Sequence, residues 1–415
     1  MRIGISTSVI QRGQSGVGQY VLALTRALLP WASRHRFTLF VLEEDLPLFD
    51  FARNEMELVS VNEAFRPPVK NILWHQARLP KLVRAKGLQL LHVPSYRRLL
   101  WPKPCRLVAT IHDLAPFRLA GKYDWKRMFY GRLVARRLAQ RQDHVIAVSQ
   151  TTALDLANFY RLQHHRLTVI HNGIDHARFS PASASEAKLQ IAQRYGLRHP
   201  FLLYVARLEH PAKNHVRLIA AFEQFKITTR SKWQLALAGG DWHGADAIHA
   251  AIRRSPSAVD IRCLGFVPED DLPNLYRAAE VFVYPSLYEG FGLPPVEAMA
   301  CGCPVISSAR GALREVLAQA AALIEPEDIL GLSNKLTLLA TDAPARDRLR
   351  AAGLLQAQKF DWRLTAEQTM RVYEDIPTPS PGMKTPGAKL HSAEVATKVL
   401  LALLALFLSL AVYSC

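Results

Sequence analysis

Glu289 and Glu297 stand eight positions apart around a glycine turn, in the stretch YPSLYEGFGLPPVEAMACGCPVISS at residues 284–308. Gly290 and Gly292 let the chain turn tightly and expose its amides. Pro294 and Pro295 suit the first turn of a helix, where a missing N–H costs nothing. That helix carries Glu297 in its first turns and stops near Cys301-Gly302. The amides of Phe291, Gly292 and Leu293 then form a positive helix start, which suits an anion. Arg207 and Lys213 follow a strand-like run, Phe201–Val205. An arginine can clamp phosphate oxygens with two parallel hydrogen bonds, and a lysine adds a point charge. His112 follows another such run, Leu107–Ile111, and faces whatever lies beyond the strand end. It is read either as a structural strand-end histidine or as a site residue, with Asp113 capping the next turn or orienting it.

These residues must be held by an alternation of strands and helices. Val281–Tyr284 (VFVY) is β-branched, aromatic and bounded by Pro285, so it reads as a short buried strand; Pro304–Ser307 reads as the next. In the first half, Ile3–Ile5, Phe37–Leu42, Leu90–Val93, Leu107–Ile111, Val145–Val148 and Leu167–Ile170 read as strands, with helical patterns such as Gly18–Leu29 and Ile72–Lys86 between them. The segment 171–200 is polar and turn-rich and reads as a crossing. From Phe201 the alternation restarts with Phe201–Val205, Gln234–Ala238, Asp260–Cys263, Val281–Tyr284, Pro304–Ser307 and Ala322–Ile324. The expected fold is α/β, two doubly wound Rossmann-like domains facing across a cleft. Residues 1–170 form the first and 201–376 the second, followed by a Pro/Gly/Ser linker at 377–398 and a hydrophobic tail at 399–415.

The pattern EGFGLPPVEAMACGCPVI resembles the E-x7-E signature of the retaining glycosyltransferases of family 4, which have the GT-B fold. Further landmarks follow in that family's order: QSGVGQY, TIHDLAP at 110–116, VIAVSQTTALDL at 145–156, VIHNGID at 169–175, YVARLEHPAKNH at 204–215, LGFVPEDDLPNLY at 264–276 and FDWRLTAEQTMRVYE at 360–374. The resemblance spans about residues 1–376. It implies a nucleotide-sugar donor, with Arg207 and Lys213 on the diphosphate, Glu297 on the ribose, the base against the backbone near Val267, Glu289 on the transferred sugar, and His112 close to the reaction centre. It also brings the turn at Gly16 to the donor phosphates or the acceptor. The chain has five residues between Arg207 and Lys213, including His210-Pro211, where many relatives have four. The N-terminal turn is G-x-x-G-x-G, not the dinucleotide G-x-G-x-x-G, which argues against a nicotinamide cofactor; none is expected. The sequence has no D-x-D pair, HExxH or Cys/His cluster, so no metal site is expected, and cations and amides would take a metal's place.

The formal net charge is +17, and all of it sits in the first half. Residues 1–200 hold 30 Lys and Arg against 13 Asp and Glu, while residues 201–415 hold 22 of each. That asymmetry points to an anionic partner or to a merely well-solvated surface. Arg97-Arg98-Leu99-Leu100-Trp101 and the run Lys122–Arg141 mix basic and aromatic residues. In the second run, Trp125, Met128, Phe129 and Leu133 form one helical stripe near Arg132, Arg136 and Arg137, read either as core or as a face for an anionic membrane. The expected acceptor is a polyprenyl-diphosphate-linked saccharide. The expected location is cytoplasmic, peripheral at the inner face of the cytoplasmic membrane. No nucleic-acid module is recognisable and no nucleic-acid partner is expected. A non-catalytic GT-B subunit of a polysaccharide synthase, and a GT-B epimerase or phosphorylase, are the rival readings.

Cys105, Cys263, Cys301, Cys303 and Cys415 form no paired framework and read as thiols in a reducing compartment. Arg2–Ser6 reads as a strand, so no signal peptide is expected at the start. Val399–Val412 is continuously apolar for 14 residues, short of the roughly 20 that span a bilayer. It is left open as a short anchor, a half-inserted segment, a buried helix or a fused piece.

Overall fold

The computed structural model describes residues 1–119 and 130–376. The first sheet has seven parallel strands: β1 (Arg2–Ser6), β2 (Arg36–Leu42), β3 (Glu57–Val61), β4 (Leu90–Val93), β5 (Arg106–Ile111), β6 (His144–Ala147) and β7 (Leu167–Val169). Their order is β3-β2-β1-β4-β5-β6-β7. The second sheet has six parallel strands: β8 (Phe201–Val205), β9 (Gln234–Ala238), β10 (Ile261–Gly265), β11 (Val281–Tyr284), β12 (Val305–Ser308) and β13 (Ala322–Ile324), in the order β10-β9-β8-β11-β12-β13. Each sheet reverses its order once, between β1 and β4 and between β8 and β11. In open α/β sheets ligands bind outside the strand ends at such a reversal.

The central strands are buried on both faces by helices, so they read as unbroken apolar runs: every residue of β4, β5 and β11 is buried. The architecture is the expected GT-B pair of doubly wound sheets. Strand β3 went unread in the sequence because it is an edge strand, half-exposed and interrupted by Glu57 and Ser60. The helical pattern at 72–86 is two helices, Pro68–Ala77 and Leu79–Ala85, since Pro80 cannot continue the first. The crossing at 171–200 holds a helix of its own, Ala184–Tyr195, opened by the Ser183 side chain and closed at Gly196.

The chain crosses between the sheets twice. The backbone bridges Ile174 to Asp361, and the helix Trp362–Asp375 then leaves the second sheet and buries Ala366, Met370, Val372 and Tyr373 in the core around β1 and β2. Each large side chain buried there contributes about 2 kcal/mol, enough to tie the helix to the first unit. The Tyr373 hydroxyl lies 2.6 Å from Nδ1 of the buried His92 on β4, and Arg106 of β5 donates to the Ile376 carbonyl. The run Lys122–Arg141 is described from Tyr130. A π-helical turn, Tyr130–Ala135, continues as the helix Arg136–Arg141, and Leu133 is exposed. The rest of that stripe, the linker and the hydrophobic tail lie outside the described residues. Among the described residues no helix is long and apolar enough to cross a membrane.

Candidate active site

One cleft of about 2510 Å³ runs between the two units. Its second-unit wall is built on the β8 and β11 ends. After β8 the chain makes the loop Ala206–Asn214, which presents Arg207 and Lys213. After β11 it makes the turn Pro285–Gly292, which presents Glu289. Lys213 Nζ lies 2.6 Å from Glu289 Oε1. The same oxygen accepts from Ser286 Oγ at 2.6 Å and Tyr284 Oη at 3.0 Å. Burial pushes the Glu289 carboxyl up, but the Lys213 charge and these hydrogen bonds outweigh it and hold Glu289 below its ordinary value. Burial likewise works against the Lys213 ammonium, and Glu289 more than offsets it. Both groups are therefore ionised at neutral pH and fixed in place.

Glu297 lies on the next helix, Leu293–Ala300, with Pro294 and Pro295 in its first turn as the sequence predicts. Its Oε2 accepts from Tyr276 Oη at 2.9 Å. Burial raises the Glu297 carboxyl to about 7; the Tyr276 hydroxyl and Arg178 pull it down and Glu269 pushes it up. The two glutamates of the motif thus differ: one is permanently ionised by a lysine, the other is poised to gain or lose its proton near neutrality.

Arg207 lies 4.5 Å above the Trp242 ring and 3.7 Å from the Glu209 carboxylate. Val267 is buried in the second core and lines the cleft, while its neighbour Phe266 is exposed. Phe291, Gly292 and Leu293 line the cleft at the helix start. Gly292 sits at φ +91°, where a side chain is strained.

Across the cleft, the first unit places His112 at the end of β5. Burial lowers its pKa to about 4, against opposing contributions from Asp113 and a hydrogen bond to the Pro94 backbone. The ring is neutral at pH 7. Its Nε2 is buried and has no hydrogen-bond partner among the described residues, and Tyr20 packs edge-on against the ring, centroids 4.7 Å apart. Asp113 Oδ1 accepts from the Ala115 amide at 3.0 Å and so caps the following turn. Gly290 brings the two walls together: a Cβ there would lie 1.8 Å from the His112 carbonyl oxygen. Gly16 opens the helix Gly16–Ala27 behind the Ser15 cap, lines the cleft, and has open space around its Cα.

Contacts between the units hold this arrangement. Glu315 accepts from the amides of Gln150 (2.8 Å) and Thr151 (3.1 Å), satisfying free N–H groups at the start of the helix Gln150–Tyr160 from the opposite unit. His171 Nε2 lies 2.9 Å from the same carboxylate. Tyr288 donates to Asp155, which also pairs with Arg118. Sequence reasoning missed these groups, as it missed Tyr276, Tyr284, Trp242 and Tyr20. Only Ser286 carried a local signal, three residues before Glu289 in the same turn.

Residues 14–178 match the family model "Glycosyltransferase Family 4", and residues 189–355 match "Glycosyl transferases group 1". The chain thus carries a glycosyltransferase family 4 domain followed by a glycosyl transferases group 1 domain, one in each unit. This glycosyltransferase is 28% identical over 392 residues to O-antigen chain mannosyltransferase B of Escherichia coli, covering 90% of this chain and 100% of that one. It is 29% identical over 272 residues to the serotype-specific mannosyltransferase WbdA of Escherichia coli, covering 63% of this chain but only 32% of WbdA. Among solved structures, HepE of Anabaena in complex with UDP and glucose superposes with a TM-score of 0.73 at 20% identity, over 90% of this glycosyltransferase and 99% of HepE, a likeness of fold.

Proposed function

We propose that this glycosyltransferase moves a hexose, mannose before others, from a nucleotide-sugar donor to a lipid-linked saccharide during assembly of a surface polysaccharide, with retention of anomeric configuration and without a metal. The observation that carries the reading is the pairing of Lys213 with Glu289 in the cleft wall, opposite the unpartnered Nε2 of His112. The mannose preference rests on the O-antigen mannosyltransferase relative whose whole length 90% of this chain matches.

In this mechanism Arg207, Lys213 and the amides of Phe291, Gly292 and Leu293 stabilise the leaving diphosphate, a role in which preorganised donors are worth more than in water. Glu297 accepts from the ribose hydroxyls, and the backbone at Val267 meets the base. Glu289 and His112 hold hydroxyls of the transferred sugar, and the turn at Gly16 closes on the phosphates. The glycosidic C–O bond to the diphosphate breaks as the acceptor oxygen bonds to the same face of C1. The departing phosphate oxygen takes the acceptor's proton. The basic first unit rests against an anionic membrane surface, where its charge is attracted within a Debye length.

The test begins with thermal shift of the full chain against GDP, UDP, dTDP and ADP, with and without EDTA. Transfer from the matching nucleotide sugar follows, with the anomeric configuration read by NMR. An EDTA-insensitive shift by GDP that is lost in Lys213→Ala, with an axial product linkage, is expected. A shift that EDTA removes overturns the metal-free part, and an inverted product overturns retention.

A further inference from the structure

The first sheet has a reversal of its own, between β1 and β4, and it opens into the same cleft. The loop after β1 carries Gly16. The loop after β4 carries Arg98, in the short turn Tyr96–Arg98. Arg98 Nε donates to Asn71 Oδ1 at 2.5 Å, and Nη1 reaches the Arg97 carbonyl at 3.4 Å. Among the described residues no carboxylate pairs with Arg98. Burial pulls its pKa down to about 10; Tyr130 opposes that and Arg97 adds to it. Arg98 therefore stays charged and partly buried, and among the described residues only neutral oxygens accept from it.

Neighbouring arginines show how this fold otherwise treats such a charge. Arg66, which also lines the cleft, pairs with Glu63 and lies 3.1 Å from Asp45. Arg118 pairs with the fully buried Asp155. Asn71, which is fully buried, holds Arg98 by its side-chain oxygen while its own Nδ2 has no partner among the described residues. Arg137 and Trp101 line the same cleft. A cation withdrawn from water is costly without a counter-charge, and a planar guanidinium suits the paired oxygens of a phosphate.

We propose that Arg98 binds a phosphate or diphosphate carried by the acceptor. On the reading that this protein is a transferase, it then acts on acceptors whose phosphate lies close enough to the reacting hydroxyl to share one cleft with it. Arg98 contacts substrate, and Asn71 is a positioning residue. A diphosphate on a lipid and a phosphate on a soluble sugar present the same chemistry to this site.

The full chain, saturated with the nucleoside diphosphate that stabilises it most, has Arg207 and Lys213 occupied. It is titrated with methyl mannoside, with mannose 1-phosphate and with a short-prenyl diphosphate mannoside in micelles. Both anionic probes should bind at least tenfold more tightly than the neutral one. Tighter binding of the prenyl probe assigns the lipid source, and equal binding assigns the soluble one. Arg98→Gln should erase the preference and leave methyl mannoside binding unchanged, while Arg98→Lys should keep part of it. Equal affinity of wild type for neutral and charged probes overturns the proposal, and that comparison needs no variant to fold. Weakening of all three probes alike in Arg98→Gln also overturns it. Transfer to each probe is then measured. Binding of the anionic probes with transfer to none would leave the site standing and refute the transferase reading. Transfer to the neutral probe as efficient as to the charged ones would do the reverse.

Discussion

The two sheets share one topology at their reversal points and use it differently. In the second unit the cations at the strand ends face carboxylates: Lys213 is locked to Glu289, and Arg207 lies near Glu209. In the first unit, among the described residues, Arg98 has only amide and carbonyl oxygens. A paired site is rigid before its ligand arrives, so the second unit is preorganised, and on the proposed reading what it awaits is the donor diphosphate. An unpaired cation is neutralised by what binds it, which suits the side that must accept a separate substrate. Buried histidines are distributed unequally as well. Burial depresses His75, His92 and His112 in the first unit to about 3, 3 and 4, and His215 in the second to about 3.

The strongest way to break the comparison is to unpair the second unit. Lys213→Ala should lower transfer by about 100- to 1,000-fold and destabilise the protein by about 3 kcal/mol, because Glu289 is left buried without its counter-charge. The double variant Lys213→Met/Glu289→Gln should regain much of the stability in a denaturant melt and none of the turnover. Recovery of turnover would refute the role of the pair.

The contact between the units is the next target. Gly290→Ala drives a Cβ into the His112 carbonyl, so transfer should fall by about 100-fold. Gly16→Ala meets open space and should leave the melting temperature nearly unchanged. Equal loss of stability in both variants would mean that the close approach is not what Gly290 is for.

Acid should separate the units. A histidine with a folded pKa below its unfolded value contributes stability above about pH 6.5, and that stability is lost as pH falls toward the folded pKa. Each such group forfeits about 1.4 kcal/mol per pH unit in that window. Below pH 6.5 the amides of β1, β4 and β5 should therefore lose protection from hydrogen exchange, corrected for intrinsic rates, before those of β8 and β11. Uniform loss would erase the asymmetry.

The smallest effect is expected at Glu297. Its raised carboxyl is partly protonated near pH 7, and in the proposed role the ionised form is the one that accepts from ribose hydroxyls. Nucleotide affinity should rise from pH 6 to 8 with release of a proton, measurable by calorimetry in two buffers of different ionisation enthalpy. In Glu297→Gln that dependence should vanish, with about tenfold weaker binding at pH 8.

By itself, the sequence determined twelve of the thirteen strands, the repeated α/β alternation, and the turn and helix that carry Glu289 and Glu297. These are local matters: apolar runs, glycine turns and prolines at a helix start act within a few residues. It also lays out the order of landmarks that carries the family resemblance. The tertiary structure alone decided which charges meet. Tyr276 is 21 positions from Glu297, and Lys213 is 76 from Glu289. Glu315 caps a helix start 165 positions away. The last helix, Trp362–Asp375, belongs by sequence position after the second sheet, and yet it is buried against the first. No period or spacing encodes such partners, because they are fixed by how two closed cores pack, and the protonation states of Glu289, Glu297 and His112 follow from that packing.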